Sequence, residues 1–163
     1  MTTRGPIPRY FAPAFFSQGM SANKPIYTSA ADAEAAFYEA LARSSLDTMM
    51  SVWSEDEEVV CIHPGGPRIV GLESIREAWR QMLSGGQRLT IDVTQTVVSG
   101  NAMVAMHSVF ENIRIEGESV RTATIAATNV YIRGALGWRM VMHHASPIPD
   151  DSDFGTLSPR VVH

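Results

Sequence analysis

A chain of 163 residues with a formal net charge of −4 and one cysteine, Cys61, suffices for a single domain with its own core and cannot carry an internal disulfide framework. The acidic balance leaves no basic footprint for nucleic acid, and no apolar run is long enough to cross a membrane. The lone thiol fits a reducing compartment, so the expected location is the cytoplasm.

Residues 1–28 read as an N-terminal arm. Pro6, Pro8, Pro13 and Pro25 rule out a long helix there. Arg4 and Arg9 before Tyr10-Phe11-Ala12-Pro13-Ala14-Phe15-Phe16 faintly imitate an export signal. The apolar stretch is short and broken by Pro13, so we read an irregular arm that packs on the body or on a partner subunit.

The domain itself is expected over 29–147. Ser29 with Asp32 three residues on is a capping-box start, and Ala33, Ala36, Phe37, Ala40 and Leu41 follow at helical spacing, predicting a helix over 30–43. Ser44 or Ser45 caps a short second helix with Leu46, Met49, Met50 and Trp53 on one face. The acids Glu55-Asp56-Glu57-Glu58 read as a solvated corner. Val59-Val60-Cys61-Ile62 is a short buried strand, stopped by the turn His63-Pro64-Gly65-Gly66-Pro67. Gly71 opens a third helix whose apolar face is Ile75, Ala78, Trp79, Met82 and Leu83, with Gly85-Gly86 ending it.

From Arg88 the apolar period becomes two. Strands are predicted at 88–99, 102–115, 120–133 and 137–146, joined by turns at 99–101, 116–118 and 134–137. Short turns between consecutive strands make an antiparallel meander. After Pro147 the polar run Asp150-Asp151-Ser152-Asp153 marks residues 148–163 as a loosely held tail. The class is α+β.

This order of elements resembles the nuclear-transport-factor-two-like superfamily, in its SnoaL-like branch related to the ketosteroid isomerases. The residues that carry the resemblance are Ala36-Phe37-Tyr38, Met50-Ser51-Val52-Trp53, Cys61-Ile62-His63-Pro64-Gly65-Gly66, Ile69-Val70-Gly71-Leu72-Glu73-Ser74-Ile75, Gly137-Trp138-Arg139-Met140-Val141 and His144-Ala145-Ser146-Pro147. It implies a cone-shaped curved antiparallel sheet with three helices packed on its concave face, around a pocket for a small, apolar ligand. Ketosteroid isomerases place a catalytic Asp directly before a Pro at the end of the short strand, where this chain has His63 before Pro64. Their second acid falls at Asn129, and their oxyanion tyrosine nearest Phe37. All three positions depart from the isomerase pattern.

His63 suits a general base because imidazole titrates near neutral pH, and Asn129 suits a donor to a developing oxyanion. Strand parity puts Ala123, Ile125, Ala127, Asn129 and Tyr131 on one face, assigned inward by the resemblance. Met140, Met142 and His144 share parity and are placed inward, with His144 as a further acid–base candidate. His107 is placed outward. Trp53, Trp79, Tyr131, Met142 and Phe37 are the expected pocket lining. The opposite face, with Thr122, Thr124, Ala126, Thr128, Val130 and Ile132, is too apolar for free solvation and is expected to form a homodimer interface. No cofactor is expected, and no metal, because His63, His107 and His144 lack convergent ligand spacing. Cys61 reads as a packed, inert thiol. The expected activity is that of a small-molecule isomerase or dehydratase. The alternative is a non-catalytic ligand-binding or oligomerisation domain like the calcium/calmodulin-dependent kinase association domain.

Overall fold

The computed structural model describes residues 24–86, 88–116 and 121–148; most of the expected arm, the tail from 149 and the tip of the 116–118 turn lie outside these. Helix α1 spans Ala30–Ala42 and starts with the capping box read from the sequence. Asp32 N–H donates to Ser29 Oγ at 3.0 Å, and Ser29 N–H donates to the Asp32 carboxylate at 2.9 Å. Its buried stripe is Ala33, Phe37, Ala40 and Leu41. Helix α2 spans Leu46–Val52 behind a Ser45 cap, and α3 spans Leu72–Leu83, burying Ile75 and Trp79.

Six strands follow one sheet: β1 Val60–Ile62, β2 Arg68–Val70, β3 Arg88–Gly100, β4 Val104–Glu116, β5 Arg121–Gly134 and β6 Gly137–Pro147, in the order β2-β1-β6-β5-β4-β3. The sheet is curved, unclosed and mixed rather than wholly antiparallel. The four long strands form the expected meander, but β1 lies parallel to β6, with Cys61 opposite His143. A parallel pair needs a long connection, and helix α3 with three meander strands supplies it. The second short strand, β2, pairs back on β1 and is too brief for a period of two to reveal.

The main core gathers Phe37, Trp53, Trp79, Tyr131 and Met140 between helices and sheet. A smaller cluster of Val109, Ile125, Ala127 and Ala145 sits further along the concave face. The edge of β6 is extended by single bridges from Tyr27 to Gly137 and from Trp53 to Met140. Gly137 has a φ of +85°, and a Cβ there would lie 2.4 Å from the Tyr27 carbonyl oxygen. Only glycine permits this close approach.

One irregularity decides which side chains face inward. Val130 pairs with Met142, but Tyr131 pairs with Met140, so Val141 is an extra residue in β6. Such a bulge reverses the alternation beyond it. Met140 therefore faces the core, and so does His143 three residues later, at 3% exposure.

Candidate functional site

Register places four polar or reactive side chains in one row across the concave face. His107 stands opposite Asn129, Asn129 opposite His143, and His143 opposite Cys61. Neighbouring strands lie about 4.8 Å apart, so the row is compact. Helix α1 supplies the layer above it: Glu34 and Tyr38, one turn apart, reach down to this row.

The row is tied into one network. His143 Nδ1 lies 2.7 Å from Asn129 Oδ1, Asn129 Nδ2 lies 3.1 Å from the Tyr38 hydroxyl, and that hydroxyl donates to Glu111 Oε1 at 2.8 Å. Glu34 Oε2 faces His107 Nδ1 at 2.9 Å, the Tyr131 hydroxyl at 3.3 Å and Asn129 Nδ2 at 3.4 Å. Acceptors on the α1 side fix the Asn129 amide with its nitrogen toward the helix. Its oxygen then requires a donor, so His143 carries its proton on Nδ1 and keeps a lone pair on Nε2. Glu34 orients His107 in the same way through Nδ1.

Burial governs the charges. It pushes His143 down to about 3, with His63 and then His144 adding repulsion, so this ring is neutral at any physiological pH. Burial also holds His63 below the ordinary imidazole value. Glu111 is raised, first by burial, and the nearby Glu34 charge adds to the rise while the Tyr38 hydrogen bond opposes it. Both Tyr38 and Tyr131 are raised, chiefly by burial, and stay protonated. Cys61, fully buried, is pushed up to about 12 by burial, which makes its thiol inert as the sequence suggests.

His63 directly follows β1 and is held by the turn in which Gly66 N–H donates to the His63 carbonyl at 2.9 Å. Its ring meets Trp79 edge-on at 4.5 Å between centroids and lies 6.5 Å from the His143 ring. Phe37 packs 5.6 Å from Trp79 and 5.0 Å from His143. His63 Nε2 and Trp79 Nε1 are both buried without a hydrogen-bond partner.

Comparison with known proteins agrees with this arrangement of helices and sheet. The SnoaL-like domain family matches residues 31–151. The chain belongs to that family. This SnoaL-like chain is 38% identical to a proposed calcium/calmodulin-dependent protein kinase type II association domain from Thiobacillus denitrificans, covering 77% of this chain and 99% of that one at a TM-score of 0.67. It is 29% identical to a proposed dehydratase from the NTF2-like family from Streptomyces avermitilis, covering 72% and 91% at a TM-score of 0.68. A protein of unknown function from Nostoc punctiforme, 14% identical over 76% of this chain and 96% of its own at a TM-score of 0.61, shares the cystatin-like fold. No curated protein matches the chain.

Within the SnoaL-like domain, His63, Asn129, Trp79, Tyr131 and Phe37 are all on the concave side. His144 is not: it is exposed on the outer face opposite Thr128, because of the bulge at Val141. Met142 turns outward for the same reason, opposite Val130. His107, expected outward, is buried at 4% exposure opposite Asn129. The Asn129 amide hydrogens are taken by Tyr38 and Glu34, so it organises the row rather than offering a free donor to a substrate. Trp53 is wholly buried in the core and also lines a separate groove.

The residues that parity alone misplaced or left out are His143, His107, Glu111 and Glu34. A signal existed for two of them. Ala105, His107, Val109 and Glu111 alternate with exposed or half-buried neighbours, and two apolar members of that set point inward. Glu34 lies one helical step before Phe37, on the edge of the buried stripe of α1. Among the described residues no cluster of His, Cys, Asp or Glu could hold a metal ion, and no helix is long and apolar enough to cross a membrane.

Proposed function

We propose that this SnoaL-like protein binds a small apolar carbonyl compound on its concave side and moves a proton on it, as an isomerase or dehydratase with His63 as base. The observation that carries this reading is the pair of unpartnered nitrogens, His63 Nε2 and Trp79 Nε1, on rings in edge contact at 4.5 Å. A buried nitrogen left unpaired costs about 1–3 kcal/mol. Two of them on touching rings call for a specific explanation, and a ligand carbonyl supplies one.

The ligand oxygen accepts from Trp79 Nε1–H. The hydrogen on the adjacent carbon goes to the neutral His63 Nε2, and the C–H electron pair moves into the carbonyl as an enolate. From a β,γ-unsaturated carbonyl the resulting dienolate takes the proton back from His63 at the γ-carbon, an isomerisation; from a β-hydroxy carbonyl the enolate expels the hydroxyl, which leaves as water with the His63 proton. His143 is too depressed in basicity to hold that proton; its role is to line the site as a fixed neutral ring. The reaction needs no cofactor. The likeness to the Streptomyces dehydratase is consistent with the second outcome.

A screen of cyclic ketones and β-hydroxy carbonyl compounds tests the proposal. His63→Ala is expected to lower turnover by at least about 10²-fold, and full turnover in that variant contradicts the assignment.

A second reading, a ligand-binding or assembly domain without chemistry, draws on the 38% identity to the Thiobacillus protein. Under either reading we place a second copy of the chain on the outer sheet face, in the cytoplasm. The exposed Val97, Val104 and Met106 beside Val130 and Met142 support an interface there.

A further inference from the structure

The hydrogen bonds that leave His143 all run one way. His143 Nδ1–H donates to Asn129 Oδ1 at 2.7 Å, Asn129 Nδ2 donates to the Tyr38 hydroxyl at 3.1 Å, and that hydroxyl donates to Glu111 Oε1 at 2.8 Å. A second carboxylate, Glu34, faces Asn129 Nδ2 at 3.4 Å. Turning the Asn129 amide over would set its oxygen against Glu34 and draw the Tyr38 hydrogen away from Glu111. Both carboxylates oppose that turn, so His143 is fixed with its proton on Nδ1 and its lone pair on Nε2.

The two nitrogens of an imidazole point to nearly opposite sides of the ring. With Nδ1 on Asn129 of β5, Nε2 faces the β1 side. There stand His63 and Trp79, whose ring centres lie 6.5 Å and 6.2 Å from that of His143. Among the described residues no side-chain hydrogen bond satisfies Nε2, although His143 is only 3% exposed. A buried acceptor without a partner calls for one. Burial holds the ring down at about 3, so Nε2 does not become a donor by taking a proton at neutral pH. The 6.5 Å between the His63 and His143 ring centres is too long for a direct hydrogen bond between their nitrogens. It suits one oxygen hydrogen-bonded to both rings, about 2.8 Å from each nitrogen and bent between them.

We propose that His143 is a specificity-determining residue of the concave site: its Nε2 accepts a hydrogen bond from a hydroxyl of the ligand, which selects β-hydroxy carbonyl compounds over carbonyl compounds without that hydroxyl. The inference rests on the carbonyl reading above. With the ligand carbonyl on Trp79 Nε1–H, its β-hydroxyl stands between His143 and His63. The hydroxyl hydrogen points to His143 Nε2 and stays on its oxygen. A lone pair of that oxygen takes the proton that His63 removed from the α-carbon. The C–O bond breaks with its electrons to oxygen, the enolate electrons form the C=C bond, and water leaves. A carbonyl or ether oxygen in that place meets a lone pair and is disfavoured.

Long-range ¹⁵N–¹H spectra of the labelled full chain read the ring nitrogens of His143 and the indole N–H of Trp79; His143→Gln and Trp79→Phe assign the signals. The chain is titrated with diacetone alcohol, a β-hydroxy ketone, and with methyl isobutyl ketone, the same skeleton without the hydroxyl. Before ligand is added, His143 is expected in the Nδ1–H form, and the Nε2–H form would overturn the proposal. Both ketones are expected to shift the Trp79 signal, diacetone alcohol with at least about fivefold higher affinity. Only diacetone alcohol is expected to move His143 Nε2 toward its hydrogen-bonded position. Asn129→Leu, which frees the ring to protonate on Nε2, is expected to abolish that preference, and a preference that persists would contradict the proposal; should this variant not fold, the wild-type readings decide alone. A Trp79 response of equal affinity for both ketones, or one with Nε2 unmoved, overturns this inference and spares the carbonyl reading. No Trp79 response to either ketone overturns both.

Discussion

Asn129 holds the concave site together through three different partners. Removing its amide orphans His143 Nδ1–H in a buried setting, while the Tyr38 hydroxyl keeps Glu111 as its acceptor. One orphaned buried group costs about 1–3 kcal/mol, so Asn129→Ala is expected to lose about 2 kcal/mol in urea unfolding, more than an exposed polar truncation. His143, pushed down to about 3, should show no ring titration by NMR between pH 5 and 8. The same depression makes stability depend on pH. An unfolded His143 takes up a proton near pH 6.5, while the folded ring refuses it until about 3, so the unfolded state binds more protons and stability falls as pH drops below 6.5. The loss from this residue between pH 7 and 5 is about 2 kcal/mol. His63, also lowered, adds to it, whereas the raised Glu111 works oppositely, gaining its proton first in the folded state. Unfolding at the two pH values checks the net sign; unchanged or higher stability at pH 5 would contradict the dominance of the histidines. Residue types told part of this story from the sequence: His63 before Pro64 and Asn129 on the inward parity both stand where expected. His143 did not follow, because a bulge leaves no mark in composition, whereas His107 shares the inward parity of Ala105 and Val109 and only its polarity spoke for the outer face.

At the scale of elements, legibility tracked the length of the periodic run. The capping box and buried stripe of α1, the Trp79 face of α3 and four strands of 11 to 14 residues are all written in apolar spacing. Strand β1 is legible as the apolar run Val59–Ile62 rather than by a period, while β2, three residues long, carries no such mark, and parallel pairing of β1 with β6 depends on distant partners. The Val141 bulge is the element-level cause of the His143/His144 exchange. Gly137 is another local device, since it lets Tyr27 join the edge of β6 and so fixes the approach to α1. A Cβ there meets backbone rather than a yielding side chain, so Gly137→Ala is expected to cost about 2–4 kcal/mol in denaturant unfolding. A loss below about 0.5 kcal/mol would show that the bridge is dispensable.

For the whole molecule, the sheet has two faces with separate assignments. The inner face carries the network and core; the outer face carries Met106, Val130 and Met142 in one row, with Val60 beyond Met142. Light scattering at micromolar concentration should give twice the chain mass, and Met106→Asp, an exposed change with little effect on folding, should give a monomer. A wild-type monomer would remove the dimer from the account. The central claim concerns the inner face, and hydrogen exchange on a carbonyl substrate reads it directly. A panel of cyclic ketones is incubated with the protein in D₂O and loss of the α-proton signals is followed by NMR. The account predicts accelerated exchange for at least one member, at least about 10²-fold slower in His63→Ala with unfolding behaviour retained. Exchange no faster than in buffer across the panel, or unchanged in His63→Ala, would contradict it.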